Sequence, residues 1–434
     1  MAIFFACLAN AANICASPVI PGSPQEKPIA IQSATIHPVS SPAIENGMLL
    51  FADGKIVAVG TKLELPDDVQ IVDGNGLHVY PGFINAGGQL GLVEIDAVRA
   101  SVDDSETGEL NSNVKAQVAF NPDSELIPVT RSNGVLVSLS VPTGRLIAGK
   151  SALMQLDGWT WEDMTVASPV GLHIYWPSLR PSRNWWAAKG SNANEPDRQL
   201  KTLRDFFQKA QRYCDSVPED AEVTDVRLDA MREVFDQSVP LVVHADSVGE
   251  IRSAIAFCVE FKVRMILHGG MDAAFCAKLL KDHDVPVIVG SVHRLPSVRS
   301  DAFDSAYALP SRLQQAGVRY CIAGVGRFGA SNLRNLPYHA GTAVAYGTDL
   351  DEAIRAVTLY PAEILGVNDR LGSLEEGKDA TLFLCNGNPL DTNSAVEMAY
   401  VQGKKLNLIS RHTELFRKYQ IKYDQIKALK QDKP

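Results

Sequence analysis

A chain of 434 residues is too long for one ordinary domain and suits a large barrel with a small accessory domain. Its composition, 46% hydrophobic and 21% charged with 32 Gly and 24 Pro, is globular rather than disordered. The net charge of −9 is spread without long runs of one sign. That excludes the basic footprint a nucleic-acid partner needs, and makes a small or peptide-like ligand the natural one.

The first charged residue is Glu26. Before it, Ile3 to Ile14 form an apolar run too short to span a bilayer, followed by Ala16, Ser17 and Pro18. Residues 1–16 therefore read as a signal peptide cleaved after Ala16, although the basic n-region is missing. The alternatives are a disordered tail and a cytoplasmic protein. Export to the periplasm is the expected localisation. The seven cysteines form no C-x-x-C pair, and Cys258, Cys276 and Cys321 sit in apolar periodic segments as core residues.

From Ile29 to Val79 the pattern is short strands and tight turns, with a hairpin of Met48–Phe51 and Lys55–Val59 around Asp53-Gly54. After Pro81 apolar runs alternate with helical patterns, the signature of βα units. Gly134–Leu139 and Gly171–Trp176 read as strands. Pro177–Thr224 reads as a helix-rich segment that includes Trp185-Trp186 and Leu200–Tyr213; those tryptophans line a pocket or belong to the core. The fourth barrel strand has no clear place. Beyond it come the strand Pro240–Asp246, a helix Val248–Val259, the strand Val263–His268, a helix Asp272–Lys281, the strand Val285–Gly290, a helix near Ser311–Ala316 and the strand Val318–Gly324. Repetition over residues 81–369 fits a (β/α)8 barrel, whose usual length is about 250 residues. No Gly-x-Gly-x-x-Gly follows a strand, so a dinucleotide fold has no support.

Four separated elements stand out: Pro81-Gly82-Phe83-Ile84-Asn85-Ala86-Gly87-Gly88-Gln89, the strand ending at His244, the strand ending at His268-Gly269-Gly270, and the return element Gly372-Ser373-Leu374-Glu375-Glu376-Gly377-Lys378-Asp379-Ala380. In this order they resemble the amidohydrolase superfamily, in its divergent, exported, imidazolonepropionase-like branch. The resemblance implies an α/β fold: a TIM-type barrel (81–369) inserted into a composite β-sandwich built from residues 29–80 and 370–408. Residues 409–434 read as a helical tail. It also implies hydrolysis of a non-peptide C–N bond (amide, lactam or cyclic amide) in a small molecule, helped by a divalent metal.

Metal ligands in that family come from the first, fifth, sixth and eighth strands. Here Gly87 and Gln89 stand at the first-strand histidines, Asn85 at the usual Asp, and Gly326 at the eighth-strand Asp. His244 and His268 persist. His293, beyond the seventh strand, could join them in a three-histidine zinc-like site with an open position. The other reading is that His244 and His268 are hydrogen-bonded remnants, His293 is a loop residue, and no metal binds. Asp246 is the candidate base, or else a cap of the following helix. Gln89, Glu94, Arg327 and Arg334 are further polar groups near strand ends. Gln89, Arg327 and Arg334 are candidate ligand-binding residues, and Arg334 either clamps an anion or fixes its loop. Asp103-Asp104-Ser105-Glu106 reads as a solvated loop. The alternative function is a catalytically inactive amidohydrolase-fold protein that binds a small ligand or a partner protein. No membrane span is expected, and a homo-oligomer is compatible with the fold.

Overall fold

The computed structural model describes residues 19–179, 195–219, 224–296, 299–326 and 328–431. The leader region 1–16, Trp185, Trp186 and Arg327 lie outside the described residues.

One sheet draws its strands from both ends of the described chain. It comprises β1 (Ile29–Ile36), β2 (Ile44–Ala52), β3 (Lys55–Gly60), β4 (Gln70–Asp73) and β5 (His78–Pro81), and then β14 (Leu382–Cys385), β15 (Val396–Val401) and β16 (Lys404–Lys405). The two sets join where β14 runs antiparallel to β5, with Leu382 opposite Pro81 and Phe383 opposite Tyr80. The sequence positions just before and just after the barrel thus become neighbours. Inward residues of this sheet, among them Ile31, Ile36, Phe51, Leu382 and Tyr400, bury a core of their own. Phe383 turns the other way and packs on Phe83 at a ring distance of 4.9 Å, which ties the sheet to the barrel.

The second sheet is the barrel, with β6 (Phe83–Asn85), β7 (Val135–Ser140), β8 (Ile147–Gln155), β9 (Thr165–Tyr175), β10 (Leu241–Ala245), β11 (Met265–Gly269), β12 (Val287–Val289) and β13 (Tyr320–Ile322) following one another in spatial order. Their apolar runs are buried on both faces, as strands covered by helices require. One feature departs from the (β/α)8 expectation of eight parallel strands. β8 is antiparallel to both β7 and β9, so the third barrel position belongs to a meander rather than a βα unit. The fourth position is β9, and the expected strand Gly171–Trp176 is its C-terminal half.

The barrel is closed at the seam between β13 and β6 without a strand pairing. Ile322 N–H donates to Ala356 O (2.9 Å) and Ile84 N–H to Val357 O (2.8 Å), so the backbone at Ala356-Val357 bridges the two edges. At the upper end the fully buried Asn85 amide completes the closure. Its Oδ1 accepts from Gly324 N–H (2.8 Å), while its Nδ2 donates to Gly87 O (2.5 Å) and Ser138 Oγ (3.3 Å). The last described element is the helix Arg411–Gln431, whose described side chains are exposed.

Candidate functional site

Parallel register assembles the site. Pairing of β9, β10 and β11 places Tyr175 beside His244 and His244 beside His268. Side chains two apart on a strand share a face, so His173 lies on the same side as Tyr175. All are at the C-terminal ends of their strands, where barrel enzymes gather their active groups.

The rings form a stack. His244 lies against Tyr175 (centroids 4.1 Å, interplanar angle 11°) on one side and against His268 (4.2 Å, 37°) on the other. His173 Nδ1 and His244 Nε2 are 2.9 Å apart, a hydrogen bond whose direction depends on tautomer. His173 is fully buried and His268 is 7% exposed. The Nε2 atoms of both are enclosed without a hydrogen-bond partner. Burial, reinforced by the neighbouring imidazoles, pushes the His173 and His244 pKa values well below the usual histidine range. Burial alone lowers His268 to about 4. At neutral pH the cluster is therefore uncharged.

The vacated family positions are structurally committed. A Cβ at Gly87 would fall 2.8 Å from His268 Nε2, so the imidazole occupies space that any side chain at 87 would enter. Gly326 has φ +112°, where an aspartate is strained. Asn85 serves the seam, as described above.

The other candidates go to separate places. His293 does not join His244 and His268. Beyond the end of β12 its ring packs at a tilt of 33° on the buried His339 (centroids 4.2 Å), and its Nε2 lies 2.7 Å from Thr342 Oγ1. The expected three-histidine metal set is thus corrected, because the turn after β12 carries this imidazole onto the helix Leu336–Ala345. Asp246 does not cap the following helix. Ser247 does so, in a capping box with Glu250. Asp246 sits at the rim, half-buried, with Oδ1 accepting from Met271 N–H (3.3 Å). Arg334 is exposed and its Nη1 meets His412 Nδ1 (2.7 Å), a contact with the tail helix. Gln89 is half-buried near Gly329, whose Cβ would stand 3.8 Å from its Oε1. Glu94 is half-buried with Oε1 unpartnered, and burial raises its pKa despite hydrogen bonds from Ser124 and Asn121.

The residues present do not fit a zinc-like ion as arranged. His244 Nε2 is bound to His173, His268 Nε2 faces the bare backbone of Gly87, and His293 Nε2 is taken by Thr342. Among the described residues no group of three His, Cys, Asp or Glu side chains is placed to hold a metal. A cleft of about 440 Å³ lined by Pro240, Met265, Pro286 and Arg319 lies at the opposite end of the barrel, the end that serves stability in this architecture.

Sequence reasoning missed His173 and Tyr175. The signal was present in Leu172-His173-Ile174-Tyr175, where polar rings alternate with aliphatic residues along a strand. It missed Glu250 as well. That carboxylate accepts from Asp246 N–H, Ser247 N–H, Ser178 Oγ and Leu179 N–H, and so fixes the segments following both β9 and β10. Burial opposes its ionisation, but these hydrogen bonds outweigh it and hold its pKa below the usual range.

Comparison with known proteins accords with this architecture. Residues 162–410 match the amidohydrolase family model. An amidohydrolase from Hapsidospora irregularis, tasK, is 21% identical over 407 residues; the match covers 83% of this chain but 39% of that protein. The imidazolonepropionase of Micrococcus luteus is 25% identical, with 84% of this chain and 92% of that one covered. The crystal structure of an amidohydrolase from Thermotoga maritima MSB8, 26% identical, superposes with a TM-score of 0.75 over 87% of this chain and 99% of its own. With a family match over more than half its length and the barrel and return strands in place, this chain belongs to the amidohydrolase family.

Proposed function

We propose that the protein hydrolyses a non-peptide C–N bond, of an amide, lactam or cyclic amide, in a small molecule at the mouth of the barrel. The observation that carries this reading is the uncharged imidazole stack of His244 and His268, held at the strand ends where barrel enzymes do their chemistry. The names of the relatives support the bond type. In this reading His244 and His268 contact the substrate, and Asp246 at the rim accepts the proton of the attacking water. The water oxygen bonds to the carbonyl carbon, the C–N bond breaks, and the proton passes to the leaving nitrogen.

A second reading, an inactive barrel that binds a small ligand or partner, is favoured by one specific observation. Asn85, Gly87 and Gly326 stand at three family positions without catalytic side chains, and the first is absorbed into barrel closure. One experiment separates the two readings. Purified protein is incubated with a panel of lactams and cyclic amides, with chelator and with added zinc or manganese, and ring opening is followed by mass spectrometry. Turnover that falls at least about 100-fold in His244→Ala, the size of a lost acid–base or electrostatic group, supports the hydrolase. Binding by calorimetry without turnover under any metal condition transfers the case to the second reading.

Export is part of the proposal and rests on the leader-like start of the sequence. N-terminal sequencing of the mature protein tests it, and an intact Met1 in the cytoplasmic fraction would overturn it. Among the described residues no helix is long and apolar enough to cross a membrane.

A further inference from the structure

We infer that His173 is a positioning residue that fixes the tautomer of His244, so that His244 presents Nδ1–H to the barrel mouth as a hydrogen-bond donor for a substrate carbonyl. The inference rests on the proposed hydrolase reading for its substrate, but its structural part stands on the ring geometry alone.

A neutral imidazole carries one N–H and one lone pair, so the 2.9 Å bond between His173 Nδ1 and His244 Nε2 admits two arrangements. If His244 donated from Nε2, His173 would carry its own proton on Nε2. That atom is enclosed and has no partner, and a buried N–H without an acceptor is the rarer kind of orphan. If His173 donates from Nδ1, its enclosed Nε2 is only an unused lone pair. His244 then accepts at Nε2 and carries its proton on Nδ1. The second arrangement leaves no buried orphan donor on the pair.

Three further observations fit this assignment. His244 is only half-buried, while His173 behind it is fully buried, so the pair is anchored from the inside. Tyr175 and His268 lie against the imidazole on its two sides and restrict its rotation. Burial keeps both members of the pair uncharged at neutral pH. A fixed, neutral N–H donor stabilises developing negative charge on a carbonyl oxygen without reorganising. A neutral histidine held as an electrophile is a known way to polarise a carbonyl. The ligand class is therefore a small molecule whose reacting group is an uncharged carbonyl, and the imidazole takes the carbonyl-polarising role that a metal ion fills in other hydrolases.

Nitrogen-15 NMR of the full-length protein, with histidines assigned by single substitution, reads the tautomer directly. The expected result is a protonated Nδ1 and an unprotonated Nε2 on His244. A protonated Nε2 on His244 overturns the inference, whatever the activity. His173→Leu removes the donor, and His244 is then expected to relax to the Nε2–H form. His173→Gln keeps a side-chain N–H donor, and is expected to restore Nδ1–H in part should the leucine variant misfold. A His244 tautomer unchanged in a folded His173→Leu protein also counts against the inference. Where the panel above gives turnover, His173→Leu is expected to lower kcat about 10- to 100-fold with KM within about threefold, the pattern of an interaction made in the transition state. Loss confined to KM would overturn the carbonyl role. An Nδ1–H tautomer in a protein with no hydrolytic activity upholds His173 as the positioning residue while the hydrolase reading fails.

Discussion

Replacing Asn85 by aspartate, the residue usual at this point of the resembling motif, tests whether the barrel seam needs a donor as well as an acceptor. The Asn85 amide is fully buried, accepts from Gly324 N–H and donates to Gly87 O and Ser138 Oγ. A carboxylate keeps the first bond, but it sets an acceptor oxygen where Nδ2 now lies 2.5 Å from the Gly87 carbonyl. Leaving a buried carbonyl unsatisfied costs about 1–3 kcal/mol, and an uncompensated buried charge about 3–5 kcal/mol. We therefore expect a loss of about 3–5 kcal/mol at pH 7.5, a large share of a typical stability of about 5–15 kcal/mol. The sign with pH follows from linkage. Burial and the facing carbonyl raise the introduced carboxyl above its unfolded value of about 3.9, so the folded state binds the extra proton. Below about pH 3.9 the penalty is smallest, because the protonated group donates again to Gly87 O; it grows as pH rises towards the folded pKa. Urea unfolding of parent and variant at pH 4.5 and 7.5, with m unchanged, gives the difference. A loss under about 1 kcal/mol at both pH values, or a larger loss at the acid one, would refute the reasoning.

Three further expectations follow from other contacts. Arg131 is 3% exposed, pairs with Asp157 at 2.6 Å and donates to Leu156 O and Asn407 O, while Asp157 also accepts from Gly22 N–H. Arg131→Ala is expected to cost about 3–5 kcal/mol by leaving a buried carboxylate unpaired, and a loss under 1 kcal/mol in thermal or urea unfolding contradicts this. Glu250→Gln is expected to cost about 2 kcal/mol at pH 7 by weakening the four hydrogen bonds that the carboxylate accepts. Because the Glu250 pKa is depressed in the fold, its contribution is present above the unfolded value of about 4.3 and is lost as pH falls through the folded value, so parent and variant converge in acid; a gap that widens in acid argues against the assignment. Gly87→Ala places a Cβ 2.8 Å from His268 Nε2 and is expected to cost about 1–3 kcal/mol while displacing that imidazole. An unchanged His268 NMR signal in a variant of parental stability would show that the space is not shared.

Local chemistry settled much of this protein in advance. Continuous apolar runs such as Leu241-Val242-Val243, recurring between helical patterns, read as strands buried on both faces, and a polar residue at the C-terminal end of such a strand lies at the mouth, which is how His244 and His268 were legible. The hairpin around Asp53-Gly54 and the return of residues 382–405 to the first sheet followed from turn residues and motif alone. Tertiary structure decided the rest, because it depends on which strands become neighbours. The reversal of β8, the seam joined through Asn85, the pairing of His173 with His244 and the diversion of His293 to Thr342 link residues far apart in sequence. A period of two or 3.6 reports which face a side chain takes, but not what meets it there. The sequence therefore determined the barrel and the strand-end placement of two histidines, and only the fold decided that a buried third histidine bonds one of them and that a bare glycine leaves room for the other.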